Sequence, residues 1–287
     1  KRATETLFHE GGHAAHFSNI DMPAPCFAQE FAPSSVAMAE TQSMFLDSLL
    51  NDPEWVSRYA RTTDGQPMPW DLMEAGIRSE QPFAAWGIRA MLSVCYAEKA
   101  LYEIPDDELT ADRIRKTIRE VEQRILLLED GSPRPTLAVP HLLSGESSAY
   151  YHGYVLAEMA VHQTREYFLA RDGHLTDNPR IGPDLRQHYW IPGNSRRFKD
   201  FIKDLTGKPL SAEALAHRAT RSVDQALDEA RTAIDRLQSV PTRNGDIDLN
   251  AHIKVMHGNE LVASNESGFH RLTGDFAGWI QSMEGGA

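Results

Sequence analysis

Cysteine is nearly absent from this 287-residue chain: Cys26 and Cys95 are its only two. Two thiols cannot build a disulfide scaffold, so the fold must rest on an apolar core. Such sparse usage fits a reducing compartment and a cytoplasmic location. No apolar run approaches the roughly 20 residues that cross a bilayer, which argues against a membrane-spanning role. No signal peptide is readable at Lys1. Basic residues are in deficit, 29 against 41 acidic ones, for a formal charge of -12. That balance disfavours nucleic acid as a partner. Internal repeats and low-complexity stretches are missing too. What remains is an ordinary apolar content of 41%, enough for one large domain or two small ones.

Helical periodicity runs through most of the chain. Residues 3–18 read as a helix, and Pro23, Pro25 and Pro33 break the stretch after it. Residues 34–50 resume the pattern through Met38, Phe45 and Leu49. The stretch 62–69 is polar and turn-like. Residues 79–102, rich in Ala, Met and aromatics, read as a buried helix. Over 111–129 the residues Ile114, Ile118, Val121, Ile125 and Leu128 recur at spacings of three and four, with charge on the other face. Three prolines make 131–140 a loop. Helix is expected again over 147–170, and over 211–238 as one long amphipathic segment along Ala219, Val223, Ala226, Ala230, Ala233 and Leu237. Only 250–262 has a short strand-like pattern. The expected fold class is all-α with a strand-like tail.

Chemistry concentrates near the start, in His9-Glu10-Gly11-Gly12-His13. Two imidazoles four residues apart share one helix face and can hold Zn²⁺. The carboxylate of Glu10 is then placed to take a proton from metal-bound water and deliver it to a leaving amine. Leu7, Phe8, Ala14, Ala15 and Phe17 predict that this helix is buried. Gly11 and Gly12 weaken it by propensity, so a close approach of substrate or of another helix is expected there. A third ligand is needed, and Glu30, Glu40 and Asp47 are the downstream candidates. Glu40 is favoured because it sits in the apolar run Val36-Ala37-Met38-Ala39, where an unpaired carboxylate is costly. A catalytic helix so near the first residue predicts a chain that is the C-terminal part of something larger.

The segment His9-Glu10-Gly11-Gly12-His13-Ala14-Ala15-His16 resembles the metal helix of the M3 oligopeptidases, the thimet oligopeptidase and oligopeptidase F group. Glu40-Thr41-Gln42-Ser43 is similar to the context of that family's third zinc ligand. Asp52-Pro53-Glu54-Trp55, Arg58-Tyr59 and Gly207-Lys208-Pro209-Leu210 also look like family segments. The resemblance is weakest over 60–140. It implies a helical catalytic lobe over 1–245, with 246–287 as an addition and a separate N-terminal lobe forming the other wall of a substrate channel. It further implies one Zn²⁺ per chain, held by His9, His13 and Glu40, and short unfolded peptides as substrates. Internal cleavage is favoured over removal of C-terminal residues or dipeptides. The alternative is a zinc-binding half that needs a separate N-terminal chain for activity. The family also carries a histidine followed by paired tyrosines, which brings in His141 and the stretch Tyr150-Tyr151-His152-Gly153-Tyr154. Tyr151 and Tyr154 stand one residue farther from His141 than the family pattern has them. Three apart, they can share a face and donate hydrogen bonds to an oxyanion.

Further candidates carry weaker signals. His16 is expected to support a ligand. Of His152 and His162, one is expected near substrate and the other at the surface. Arg196 and Arg197, beside Lys199, could grip a peptide carboxylate, but a solvated helix face is the preferred reading. Neither cysteine has a neighbour that would make it a nucleophile.

Overall fold

The computed structural model describes residues 2–22, 29–62, 64–132, 135–243, 249 and 251–284. Cys26, Pro23, Pro25 and Asn250 lie outside them. The chain divides into two compact units, Lys1–Val240 and Pro241–Ala287. The larger unit holds helices α1 (Arg2–Ser18), α2 (Val36–Asp47), α3 (Pro53–Tyr59), α4 (Trp70–Glu80), α5 (Ala84–Tyr102), α6 (Ala111–Leu126), α7 (His152–Asp172), α8 (Ile181–Leu185), α9 (Phe198–Thr206), α10 (Glu213–Thr220) and α11 (Val223–Leu237). A π-turn over Arg186–Trp190 extends α8. The smaller unit is a hairpin of β1 (Lys254–His257) and β2 (Glu260–Ser264), antiparallel with a bulge after Val255, and a helix α12 (Phe269–Glu284). The all-α expectation holds, and so does a strand tail.

Helix α2 is the hub of the larger unit. Nine of its residues are buried, from Val36 to Ser43 together with Phe45. Ser35 caps it by accepting the Ala37 N–H. Its apolar side packs Ala37, Met38 and Phe45 against Val161 and Phe168 of α7 and against Phe201 and Ile202 of α9. Two glycines set how closely its neighbours approach. A Cβ on Gly12 of α1 would lie 2.5 Å from the Gln42 carbonyl oxygen and 2.6 Å from the Ser43 Cα. A Cβ on Gly153 of α7 would lie 2.4 Å from Val36 Cγ2. Gly12 therefore answers to a neighbouring helix, as its position in a helix interior suggests. Gly11, beside it, has nothing within 4 Å of a built Cβ.

This contrast gives a paired prediction. Gly12→Ala is expected to destabilise by about 1–3 kcal/mol, because a backbone contact cannot yield and overpacking outweighs the gain in helix propensity. Gly11→Ala is expected to stabilise by up to about 1 kcal/mol. Urea unfolding of the two variants beside the parent reads both signs.

A satellite core forms where Ala97 of α5 meets Ile118 and Val121 of α6. The seam read from the 111–129 periodicity is the one that packs, while Leu127 ends the helix in left-handed backbone at φ 60. The expectation of a buried helix over 79–102 is corrected. Phe83, Trp86, Tyr96 and Tyr102 are exposed, and α5 buries only a narrow stripe through Ser93, Val94, Ala97 and Glu98. The single 211–238 helix is corrected as well, since it breaks after Thr220. Ser222 accepts the Gln225 N–H, and the Gln225 side chain accepts the Ser222 N–H, a capping box that starts α11 afresh. Helix α3 starts on a simpler side-chain cap, with Asp52 accepting N–H bonds from Glu54 (2.8 Å) and Trp55 (3.2 Å) and with Pro53 in its first turn. None of the helices among the described residues is long and apolar enough to cross a membrane.

Candidate metal centre

Helices α1 and α2 bring three donors together. His9 and His13 are one turn apart on α1, and Glu40 faces them from α2. His9 Nε2 is 3.3 Å and His13 Nε2 3.7 Å from Glu40 Oε2. All three ligand atoms lie within 4.8 Å of one another. The fit to a tetrahedral ion is direct. Bonds of about 2.0–2.1 Å give donor–donor edges of about 3.3 Å, close to the spacing of His9 and Glu40. Two imidazoles and one carboxylate also form the donor set of a catalytic site that leaves a fourth position open.

The surroundings hold each donor in place. His9 Nδ1 is 3.0 Å from Asp47 Oδ2 at the end of α2, which turns Nε2 toward Glu40. Glu40 accepts from the Tyr150 hydroxyl (2.6 Å) on Oε1 and from Ser43 Oγ (3.0 Å) on Oε2. Burial works to raise the Glu40 carboxyl. The bonds from His9 and Tyr150, the charge of His13 and the bond from Ser43 outweigh it and hold the group below its usual range. Asp47 and then Glu40 lift His9 from its ordinary value to about 10. Carboxylates that favour a proton on His9 also favour a metal cation in that proton's place.

Asp47 is the weaker sequence candidate for third ligand. The structure sets it behind His9 instead, where it orients the ring. Asp47→Asn is expected to weaken metal binding about 10–100-fold while leaving the helices folded, as competition against a chelating dye would report. Glu30 is outside the donor cluster, although its charge reaches Tyr150 and Tyr154.

Glu10 is exposed on α1 and forms no hydrogen bond or ion pair with the described residues. The expectation of a buried helix needs correction here. Of α1, Gly12 and His16 are buried, whereas Leu7 is 69% and Phe17 38% exposed. The physical reason is one-sided packing: α1 presses Gly12 onto α2, and the opposite stripe of Leu7, Glu10, Ala14 and Phe17 faces outward. His16 is buried, and its ring stacks on the partly exposed Phe17 with centroids 4.9 Å apart. Burial, and then the charge of His13, push His16 down to about 4, so it is neutral.

The tyrosine segment leads into α7, and only Tyr154 lies on the helix itself. His141 Nε2 is 3.3 Å from the Tyr154 hydroxyl, and the His141 ring meets Tyr151 edge-on at 5.3 Å. Sequence spacing favours Tyr151 and Tyr154; the structure adds Tyr150, whose hydroxyl lies 2.6 Å from Glu40, while Tyr154 also acts on the Glu40 carboxylate. Spacing gives no sign of it, because Tyr150 precedes the first turn of α7. Burial, and then Glu40, raise both the Tyr150 and Tyr154 phenols, so each keeps its proton and is a donor. The segment is braced from below. Ala149 has left-handed backbone (φ 53), and its N–H donates to the buried Glu98 carboxylate at 2.5 Å.

The remaining candidates are accounted for elsewhere. Arg196 pairs with Asp204 and Arg197 with Asp200 on exposed surface, in line with a solvated face. His162 pairs with Glu158 at 3.2 Å, and only 13% of its side chain is exposed, so it is not a surface histidine. His152 is exposed.

A helical lobe presenting two histidines and a glutamate at metal-binding spacing defines a metallopeptidase-like class of site. The chain belongs to peptidase family M3, whose family model matches residues 1–220. A solved structure described as "BsuCP Crystal Structure" shares the fold, with a TM-score of 0.54 at 19% identity. That match covers 79% of this chain and 47% of the other, so the chain spans about half the length of that structure. No curated protein matches it.

Proposed function

We propose that this chain carries the catalytic centre of a zinc-dependent oligopeptidase that cuts internal bonds of short unfolded peptides. The observation that supports this most is the convergence of His9, His13 and Glu40, with Glu10 next to His9 and free of other partners among the described residues. A zinc ion held there supplies Lewis acidity, lowering the pKa of water and polarising a carbonyl. Glu10 takes the proton of the attacking water and passes it to the departing amine. Tyr154, kept protonated, donates to the oxyanion that forms, with Tyr151 and His141 holding the ring cluster in place. Asp47 and Tyr150 keep His9 and Glu40 oriented. Short peptides and internal cleavage are what the resemblance to the M3 oligopeptidases implies.

A second reading has its own support. Leu7 and Phe17 stand exposed on the same helix stripe as Glu10, a surface suited to burial against substrate or against a separate chain. In that reading the zinc-loaded chain is one wall of the site and needs a partner for turnover. Incubation of the zinc-loaded chain with a mixed library of short peptides, read by mass spectrometry, separates the two. Internal cuts support the self-sufficient oligopeptidase, and cuts confined to C-terminal residues or dipeptides would replace it by a carboxypeptidase. One zinc per chain without any cutting would favour the partner-dependent half.

A further inference from the structure

We infer that Glu98 of α5 is a positioning residue for the metal centre, acting on Glu40 through the turn at Ala149 and the Tyr150 hydroxyl. The inference rests on the zinc reading of His9, His13 and Glu40 and deepens it. Glu98 lies outside that donor cluster, so any effect it has on the metal passes through other residues.

Glu98 is an expensive residue for the bond it makes. It is 6% exposed, in the buried stripe of α5 beside Ser93, Val94 and Ala97. Among the described residues its carboxylate has no ion-pair partner, and its one side-chain hydrogen bond comes from the Ala149 N–H at 2.5 Å. A buried carboxylate without a cation is unfavourable. The N–H does not require it. Ala149 is exposed, and both residues line a cavity of about 440 Å³, so water could take the carboxylate's place as acceptor. The bond therefore adds little to stability. What it fixes is the path of the backbone.

That path leads directly to the metal site. Ala149 has left-handed backbone at φ 53, a conformation that disfavours alanine and suits glycine. Glu98 anchors this turn from the α5 side. The next residue, Tyr150, places its hydroxyl 2.6 Å from Glu40 Oε1. Two consecutive residues thus connect one buried carboxylate to another, the first by its backbone and the second by its side chain. A bond this short tolerates little displacement of the ring. The Tyr150 ring also lies 5.4 Å from Tyr154 and 5.9 Å from His141, so a slipped turn would disturb the phenol assigned to the oxyanion as well.

Zinc affinity and a tyrosine resonance test the relay. Glu98→Ala is expected to weaken zinc binding about tenfold without abolishing it, and Tyr150→Phe to do the same. Because Glu98 acts through Tyr150, adding Glu98→Ala to Tyr150→Phe should weaken binding by less than about a further twofold. Glu98→Gln, which keeps an oxygen for the N–H, should stay within about threefold of the parent. Ala149→Gly, which adopts the turn without an anchor, should bring the Glu98→Ala protein back toward parental affinity, a rescue that a misfolded variant would not show. In metal-free protein carrying ¹³Cζ-labelled tyrosine, Glu98→Ala should shift the Tyr150 resonance, assigned by its loss in Tyr150→Phe. The resonance of Tyr189, buried against Thr164, should stay in place. Parental zinc affinity in Glu98→Ala, losses that multiply in the double variant, a Gln variant no better than Ala, or an unmoved Tyr150 resonance would overturn the inference. A parent chain that binds no zinc would instead overturn the metal reading, and the metal-free Tyr150 resonance would then decide the Glu98 brace alone.

Discussion

Replacing Glu10 by Gln is expected to lower kcat/KM for a short peptide by about 10²–10⁴-fold and to leave zinc content at one per chain. Glutamine keeps the size of the side chain and its helical position but cannot accept a proton from water at neutral pH. Nothing else on the exposed stripe of α1 can replace it, because Leu7, Ala14 and Phe17 carry no titratable group. Since Glu10 has no partner among the described residues, its loss leaves no buried group unpaired, and the melting temperature should move little. A variant that lost zinc along with activity would place Glu10 in the structure of the site and contradict its assigned part in proton transfer.

The second large effect is expected at Glu40. Glu40→Gln removes the charge that draws His9 and His13 together and replaces a strong metal donor with a neutral amide. Removing an outer partner of a ligand weakens metal binding about 10–100-fold, so removal of the ligand charge itself should exceed about 100-fold. Zinc-induced stabilisation reports this without any substrate. At free zinc about 100 times the parental Kd, the parent gains about 2.7 kcal/mol of stability. With a Kd weakened about 100-fold, the variant gains about 0.4 kcal/mol under the same conditions. An undiminished zinc shift in Glu40→Gln would move the third ligand elsewhere, with Asp47, already bonded to His9, the first carboxylate to test.

The cluster of His9, His13 and Glu40 is legible in the sequence because it depends on local geometry. A helix fixes the offset between His9 and His13, and a carboxylate among Val36, Ala37, Met38 and Ala39 can be tolerated only with partners. The periodicity of 111–129 exposes its packing seam for the same reason. What sequence pattern leaves out is set by contacts made at a distance. Tyr150 reaches Glu40 across 110 residues, and because it precedes α7 no helical spacing picks it over Tyr151. The exposure of Leu7 and Phe17 runs against the sequence expectation because apolar flanks say that a helix packs without saying on how many sides. The break between α10 and α11 is written in the sequence, as Ser222-Val223-Asp224-Gln225, but the alanine seam running across it conceals the cap. Helices α4 and α12 escape the periodicity reading, although α12 carries Phe269, Leu272, Phe276, Ile280 and Met283 at spacings of three and four, with Gly274 and Gly278 weakening it by propensity.

The spacing of the site along the chain bears on how it assembles and how it fails. His9, His13, Glu40 and Asp47 all belong to the first two helices, and His9 meets Asp47 across only 38 residues. The phenols join from a segment 110 residues away. Loop-closure entropy alone separates these events by only about 1 kcal/mol, so chain length is not the main difference. The larger one is that Tyr150 follows Ala149, whose N–H is held by Glu98 of α5, and α5 in turn packs on α6. His9, His13 and Glu40 are low-contact-order features of a helical hairpin, and the phenols are high-contact-order features of the finished lobe. Damage to the α5–α6 pair should therefore yield chains that still take up zinc but no longer hydrolyse peptides, and metal content by itself would overcount the active molecules.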